Sequence, residues 1–207
     1  MMAAPAPVPS PIGIFPQFFA QQPETVLLQL KIFSLASTDY LIKLANGTPV
    51  LRVEAKGMSF SGRKKMFDMQ GTHLFDIVKE KFHLHTTFAV EDASGGKIME
   101  VRSSVKLIGS KATATFTSTQ TGKVESLTMK GKWADSSADI IDEAQSNLVV
   151  AHIDRKIAPF SVKLNKQQYA VTVAPGVDMA LVAALCICLD EKHNEKSTNV
   201  ALLGSIS

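Results

Sequence analysis

Three groups of cations in this chain are spaced so that they could converge on phosphate oxygens. Arg63-Lys64-Lys65 follows Gly62 and precedes a strand-like run, which places the charge on a loop or a strand start. Lys79 and Lys81 are two residues apart, as are Lys130 and Lys132, and at strand spacing each pair faces one way. Converging ammonium groups, or a guanidinium binding two oxygens at once, are what recognition of an anionic headgroup demands. Each cluster is also what an ordinary solvated surface looks like, because lysines are mostly exposed.

Other chemistries have weaker footing. His83 and His85 would point the same way on a strand and could start a zinc site, but a third ligand would have to be His73, His152 or a distant carboxylate, and no spacing singles one out. They read as surface or half-buried histidines. Asp142 and Glu143 are adjacent, so on a strand they face opposite ways and form no carboxylate dyad. There is no glycine-rich phosphate loop, nucleophile elbow or metalloprotease helix. The expectation is a non-enzyme with no catalytic residues, no metal and no cofactor.

Composition narrows the class further. A length of 207 residues suits one domain with tails, and a net charge of +3 is compatible with an anionic surface but too small to imply nucleic acid. Cys186 and Cys188 lie two apart in an apolar segment; on a helix they point roughly 200° apart, so they neither bridge nor share a metal. They read as small core residues of a reducing compartment. No early positive charge, continuous apolar leader or glycine after Met1 is present, so the expected location is cytoplasmic, membrane-peripheral or nuclear.

The elements that must position these residues fall into three parts. Residues 1–24 hold Pro5, Pro7, Pro9, Pro11, Pro16 and Pro23, and read as a flexible arm in which Ile12, Ile14, Phe15, Phe18 and Phe19 are unusual and point to docking on the domain's own surface or on a partner, with self-docking or disorder the expectation. Residues 25–196 are the domain. Period-two segments there are divided by turn signals at Asn46-Gly47, Gln70-Gly71, Ser94-Gly95-Gly96, Thr121-Gly122 and Gln145-Ser146-Asn147, which predicts a meander of antiparallel hairpins with about a dozen strands. Closing such a sheet removes its edges. A barrel of this width cannot be filled by its own side chains, since about eight strands already give a filled interior.

The filler is in the chain itself. From Met179 to Leu189 eleven consecutive residues are apolar, too few for the ~20 of a bilayer span and apolar all round, as a helix buried in protein must be. A central helix over 178–190 is therefore predicted, entered through Ala174-Pro175-Gly176 and capped by Asp178, with Met179, Leu181, Val182, Leu185, Ile187 and Leu189 in the core. The charged run Asp190-Glu191-Lys192-His193-Asn194-Glu195-Lys196 would emerge into solvent, leaving 197–207 as a loose tail.

The segment Gln168-Tyr169-Ala170-Val171-Thr172-Val173-Ala174-Pro175-Gly176-Val177-Asp178-Met179-Ala180-Leu181, with its helix ending Leu189-Asp190-Glu191, resembles the closing signature of LURP-one-related proteins. Lys130-Gly131-Lys132-Trp133 and Val150-Ala151-His152-Ile153-Asp154-Arg155-Lys156 resemble that family's middle strands. The resemblance implies a tubby C-terminal-like fold, a twelve-stranded barrel around a C-terminal helix, distantly similar to phospholipid scramblases. It implies an interaction module, linked in some members to stress or defence, whose partner is a phosphoinositide or anionic membrane surface or a protein. The alternative is scramblase-like lipid handling. Scramblase-like proteins carry an acid-rich calcium segment before the last helix, whereas this chain has no Asp or Glu between Asp154 and Asp178, which speaks against that alternative.

Overall fold

The computed structural model describes residues 4–34, 37–55, 62–80, 86–105, 110–131, 137–155 and 168–204. Within them twelve strands are followed by one helix: β1 (Glu24–Ser34), β2 (Ser37–Leu44), β3 (Pro49–Ala55), β4 (Lys64–Asp68), β5 (His73–Glu80), β6 (Thr87–Glu91), β7 (Lys97–Val105), β8 (Ser110–Thr117), β9 (Val124–Gly131), β10 (Ser137–Asp142), β11 (Leu148–Asp154), β12 (Gln168–Val173) and α1 (Met179–Gly204). The strands follow one another in chain order around a closed antiparallel barrel, and β12 completes it against β1.

All five turn signals fall at hairpin tips. Four use a glycine with positive φ, and the fifth places Ser146 and Asn147 at φ 54° and 62°, a conformation asparagine tolerates better than most residues. Because every pairing is antiparallel, the tips joining β2–β3, β4–β5, β6–β7, β8–β9 and β10–β11 share one end of the barrel. β12 finishes and α1 begins at that same end.

Period two sorts the side chains. In β3 the residues Leu51, Val53 and Ala55 are buried and their neighbours are not; Val26 and Leu28 of β1 lie opposite Val171 and Tyr169 of β12 in the same inward row. The wall alone leaves a lumen, and α1 fills it: every residue from Ala180 to Leu189 is at most 2% exposed. Met179, at the mouth, is partly buried against the core.

Two expectations about the termini are corrected. The helix does not give way to a loose tail after the charged run but continues to Gly204. The proline-rich arm is not loose either but takes the self-docking alternative, since from Pro5 onward it packs across the mouth where α1 enters. Ile12, Phe18 and Ala20 are buried, Ile12 bridges to Val177, and Phe15 stacks on Phe75 with ring centroids 5.3 Å apart. Prolines forbid a regular strand there, yet they do not forbid irregular backbone bonds to Pro175, Gly176, Val177 and Asp178.

Candidate functional site

At the mouth, Asp178 joins the arm to the helix. Its Oδ1 accepts the N–H groups of Ala180 (2.8 Å) and Leu181 (3.2 Å), the N-cap role expected of it, while Oδ2 accepts those of Ile14 (3.0 Å) and Phe15 (2.8 Å). Gly13 lets the arm come this close, for a Cβ there would sit 2.2 Å from the Cβ of Asp178. Burial pushes the Asp178 carboxyl up to about 6, against the opposite pull of its four N–H donors.

The opposite end holds the cations. Arg63, Lys64 and Lys65 stand at the start of β4, Lys79 near the end of β5 and Lys130 near the end of β9, all on strand ends remote from the hairpin tips. Lys81 and Lys132 lie outside the described residues, as do His83 and His85. The topology therefore sets the backbones of Arg63, Lys64, Lys65, Lys79 and Lys130 toward one end of the barrel, but on separate sectors: β4 and β5 are neighbours, whereas β9 stands four strands from β5 and its Lys130 side chain turns to Asn147 of the β10–β11 tip.

Their chemistry differs from residue to residue. Lys65 is exposed, facing the row of Glu54 and Asp76 on the flanking strands. Arg63 Nη1 lies 2.6 Å from Asp76 Oδ2 and Nη2 lies 3.1 Å from Glu91 Oε2; the bond to Asp76 raises its pKa, and the same Asp76 holds His73 Nε2 at 2.6 Å. Lys130 donates to Asn147 Oδ1 at 2.7 Å, and Lys79 is half-buried. Lys64 is not a surface cation. It occupies an inward row, is 5% exposed, and places Nζ 2.9 Å from Glu191 Oε2.

That pair belongs to a polar collar where the helix leaves the lumen. Beside it Tyr169 Oη donates to Asp190 Oδ2 at 2.8 Å, Arg155 reaches Asp190 Oδ1 at 3.6 Å, and the Arg155 guanidinium lies 4.9 Å from the Tyr169 ring centroid. Sequence reasoning missed the collar. The signal was available: the first charges after an apolar core helix must meet partners at the rim or reach water.

Among the described residues no group of three or more metal-ligating side chains comes together. Asp142, far from forming a dyad, accepts the N–H groups of Ala144 and Gln145 and closes the β10–β11 turn. Cys186 and Cys188 are fully buried, and desolvation pushes both thiols up.

The profile of the LURP-one-related family matches residues 24–190, from the first residue of β1 to the carboxylate held by Tyr169. The chain belongs to the LURP-one-related family. Similar proteins of Arabidopsis thaliana include LURP-one-related 15, 24% identical over 93% of this chain and 90% of its own length, and LURP-one-related 10, 25% identical over 89% and 97%. The X-ray structure of an Arabidopsis thaliana protein superposes with a TM-score of 0.56 at 17% identity, covering 89% of this chain and 99% of that one, a likeness of fold. The LURP-one-related match thus spans the barrel and the buried part of the helix. The arm before β1 and the helix beyond Asp190 fall outside it.

Proposed function

We propose that the protein is a non-enzymatic interaction module that sets the basic end of its barrel against an anionic membrane surface, phosphoinositide headgroups included. The observation that carries the reading is the sorting of charge by topology. Strand ends opposite the hairpin tips bear Arg63, Lys65 and Lys79 beside Glu54, Glu80 and Asp154, whereas the Lys130 ammonium is drawn to Asn147 of a hairpin tip. The segments joining strands at that end contribute, in sequence, Lys56, Lys81, Lys106, Lys132, Lys156, Lys163 and Lys166 against a single acid, Asp135. The hairpin-tip segments carry Lys123 with Asp92 and Glu143, and the strand ends there add Lys43 and Lys97 against Asp68, Glu91 and Asp142. A juxtamembrane lysine is worth about 1 kcal/mol at an anionic surface, so several acting together suffice for peripheral attachment.

Two further features support a module that works from its outside. The lumen is occupied by α1, which removes the usual barrel pocket for a substrate. Scramblase-like handling would require α1 to leave the barrel, against its burial and the collar at Lys64, Tyr169 and Arg155; no described helix is long and apolar enough to cross a membrane. Attachment at a cytoplasmic or nuclear membrane surface in stress or defence signalling is the setting this reading fits.

Co-sedimentation with liposomes of graded phosphatidylserine and phosphoinositide content, at two salt concentrations, tests it. Binding should weaken with salt and fall at least tenfold when Lys65, Lys79 and Lys81 are changed to Ala, while Lys123→Ala leaves it unchanged. Lys64 is left alone because it is structural. Failure to bind vesicles of any composition sinks the lipid reading and leaves a protein as the partner.

A further inference from the structure

The arm carries no ionisable side chain between Ala4 and Pro23, so it docks by backbone bonds and apolar contact alone. Among the described residues its backbone bonds run to Pro175, Gly176, Val177 and Asp178 at the turn that opens α1 and to Thr119 of the β8–β9 tip. None runs to β1, to which the exposed Gln21-Gln22-Pro23 joins it. Lifted as a unit, the arm would break no strand pairing.

What the arm covers is a carboxyl group. Asp178 is fully buried; its Oδ2 accepts the Ile14 and Phe15 N–H groups of the arm, while Oδ1 serves the helix. Gly13 crosses directly over it, where any Cβ would collide with the Asp178 Cβ. Among the described residues no cation pairs with it. The turn from Ala174 to Val177 has no ionisable group, and the next one along α1 is the buried thiol of Cys186. On the other elements beside the arm the titratable groups are engaged or exposed: Glu24 takes the Gln22 side chain, Glu125 takes Thr121, Asp76 takes Arg63 and His73, and Lys123 is exposed.

A carboxylate without a cation is costly to keep dry, which is why burial pushes this one up to about 6. With the arm lifted, Oδ2 would meet water and the group would titrate as an ordinary helix cap, near or below 3.8. The docked state therefore holds the proton more tightly, and any two states that differ in this way are linked through pH. We propose that the arm is a proton-linked strap, docked over the mouth while Asp178 is protonated and lifted as that carboxyl ionises. Lifting frees an uncharged segment that carries Ile12, Phe15 and Phe18, and bares the Phe75 ring on which Phe15 stacks.

The test is an NMR titration of the carboxyl carbons of the full-length chain, with amide hydrogen exchange followed over the same pH range. The Asp178 carboxyl should titrate near pH 6. The opening constants of the Ile14 and Phe15 amides, corrected for the intrinsic pH dependence of exchange, should rise at least tenfold between pH 4 and 7. Ala180 and Leu181, capped by the other oxygen, should keep their protection, which separates lifting of the arm from fraying of the helix. Gly13→Ala, which leaves every titratable group in place, should return the carboxyl to the ordinary aspartate range; Asp178→Asn should make the exchange of the arm flat with pH. A carboxyl that titrates in the ordinary range in the unaltered chain, arm exchange that does not change with pH, loss of protection at Ala180 and Leu181 in step with the arm, or an unchanged titration in Gly13→Ala overturns the proposal. The carboxyl titration and amide exchange of the unaltered chain decide the matter even where a variant does not fold.

Discussion

Where the central helix enters the lumen it is held by backbone N–H groups, whereas where it leaves the lumen it is held by charge. Asp178 gathers four N–H donors from two segments in a space that excludes water, and the arm seals that mouth with Ile12, Phe15 and Phe18. The collar at the other end pairs Lys64 with Glu191 and Asp190 with Tyr169 and Arg155, with Glu191 26% exposed at its side chain. Short-range bonds in a dry site barely respond to salt, while partly exposed ion pairs do. The barrel therefore has one closed, salt-insensitive end and one end whose contacts are electrostatic, and it is the latter that faces a charged partner in the reading above.

The helix between the two ends fills the lumen, and breaking it should give the largest effect. Leu185→Asp removes a fully buried side chain and inserts a carboxylate with no partner, a combined cost well above ~5 kcal/mol, so circular dichroism should show no folded barrel. Next in size is the closed end. Asp178→Ala strands four N–H groups and should lower stability by about 3–5 kcal/mol in urea unfolding, independently of salt.

The charge on Asp178 gives a pH signature for that end. Its folded pKa of about 6 lies above the ordinary 3.8, so between those values the folded state holds a proton that the unfolded state has released. The stabilisation linked to protonation is thus fully present below pH ~4 and lost as pH rises through 6, on the order of 2–3 kcal/mol. Urea midpoints measured from pH 4 to 7 should show this fall, and Asp178→Asn should flatten it.

At the charged end, Lys64→Ala leaves Glu191 without its partner and should cost about 2 kcal/mol, less than a fully buried pair because Glu191 reaches solvent. A double-mutant cycle with Glu191→Ala measures the coupling, which should shrink in high salt. The smallest effect belongs to Lys65→Ala, whose exposed side chain should change stability by less than ~0.5 kcal/mol while weakening liposome binding. A large stability loss there would show that the basic end is built for the fold rather than for a partner.

Much of this was legible in the residues, for identifiable reasons. The hairpin tips at Asn46-Gly47, Gln70-Gly71, Ser94-Gly95 and Thr121-Gly122 announce themselves because few residues accept a left-handed backbone. Asp178 could be recognised as a cap because it stands one residue before an apolar helix. Its second role could not, since the Ile14 and Phe15 amides it also accepts lie more than 160 residues away. Lys64 and Lys65 look alike in the chain, yet period two buries one and exposes the other; only the register of β4 says which.

The sequence by itself determined the alternation of apolar side chains, the turns, the apolar helix and hence the closed barrel with its plug, because these follow from local backbone preference and from the need to bury a fixed amount of apolar surface. Only the tertiary structure decided that the arm packs against the mouth, that Lys64 serves the fold, that Asp139 pairs with His152 and that Lys130 turns to Asn147. Those are relations between residues far apart in the chain, and local periodicity carries no information about which distant side chains closure will bring together.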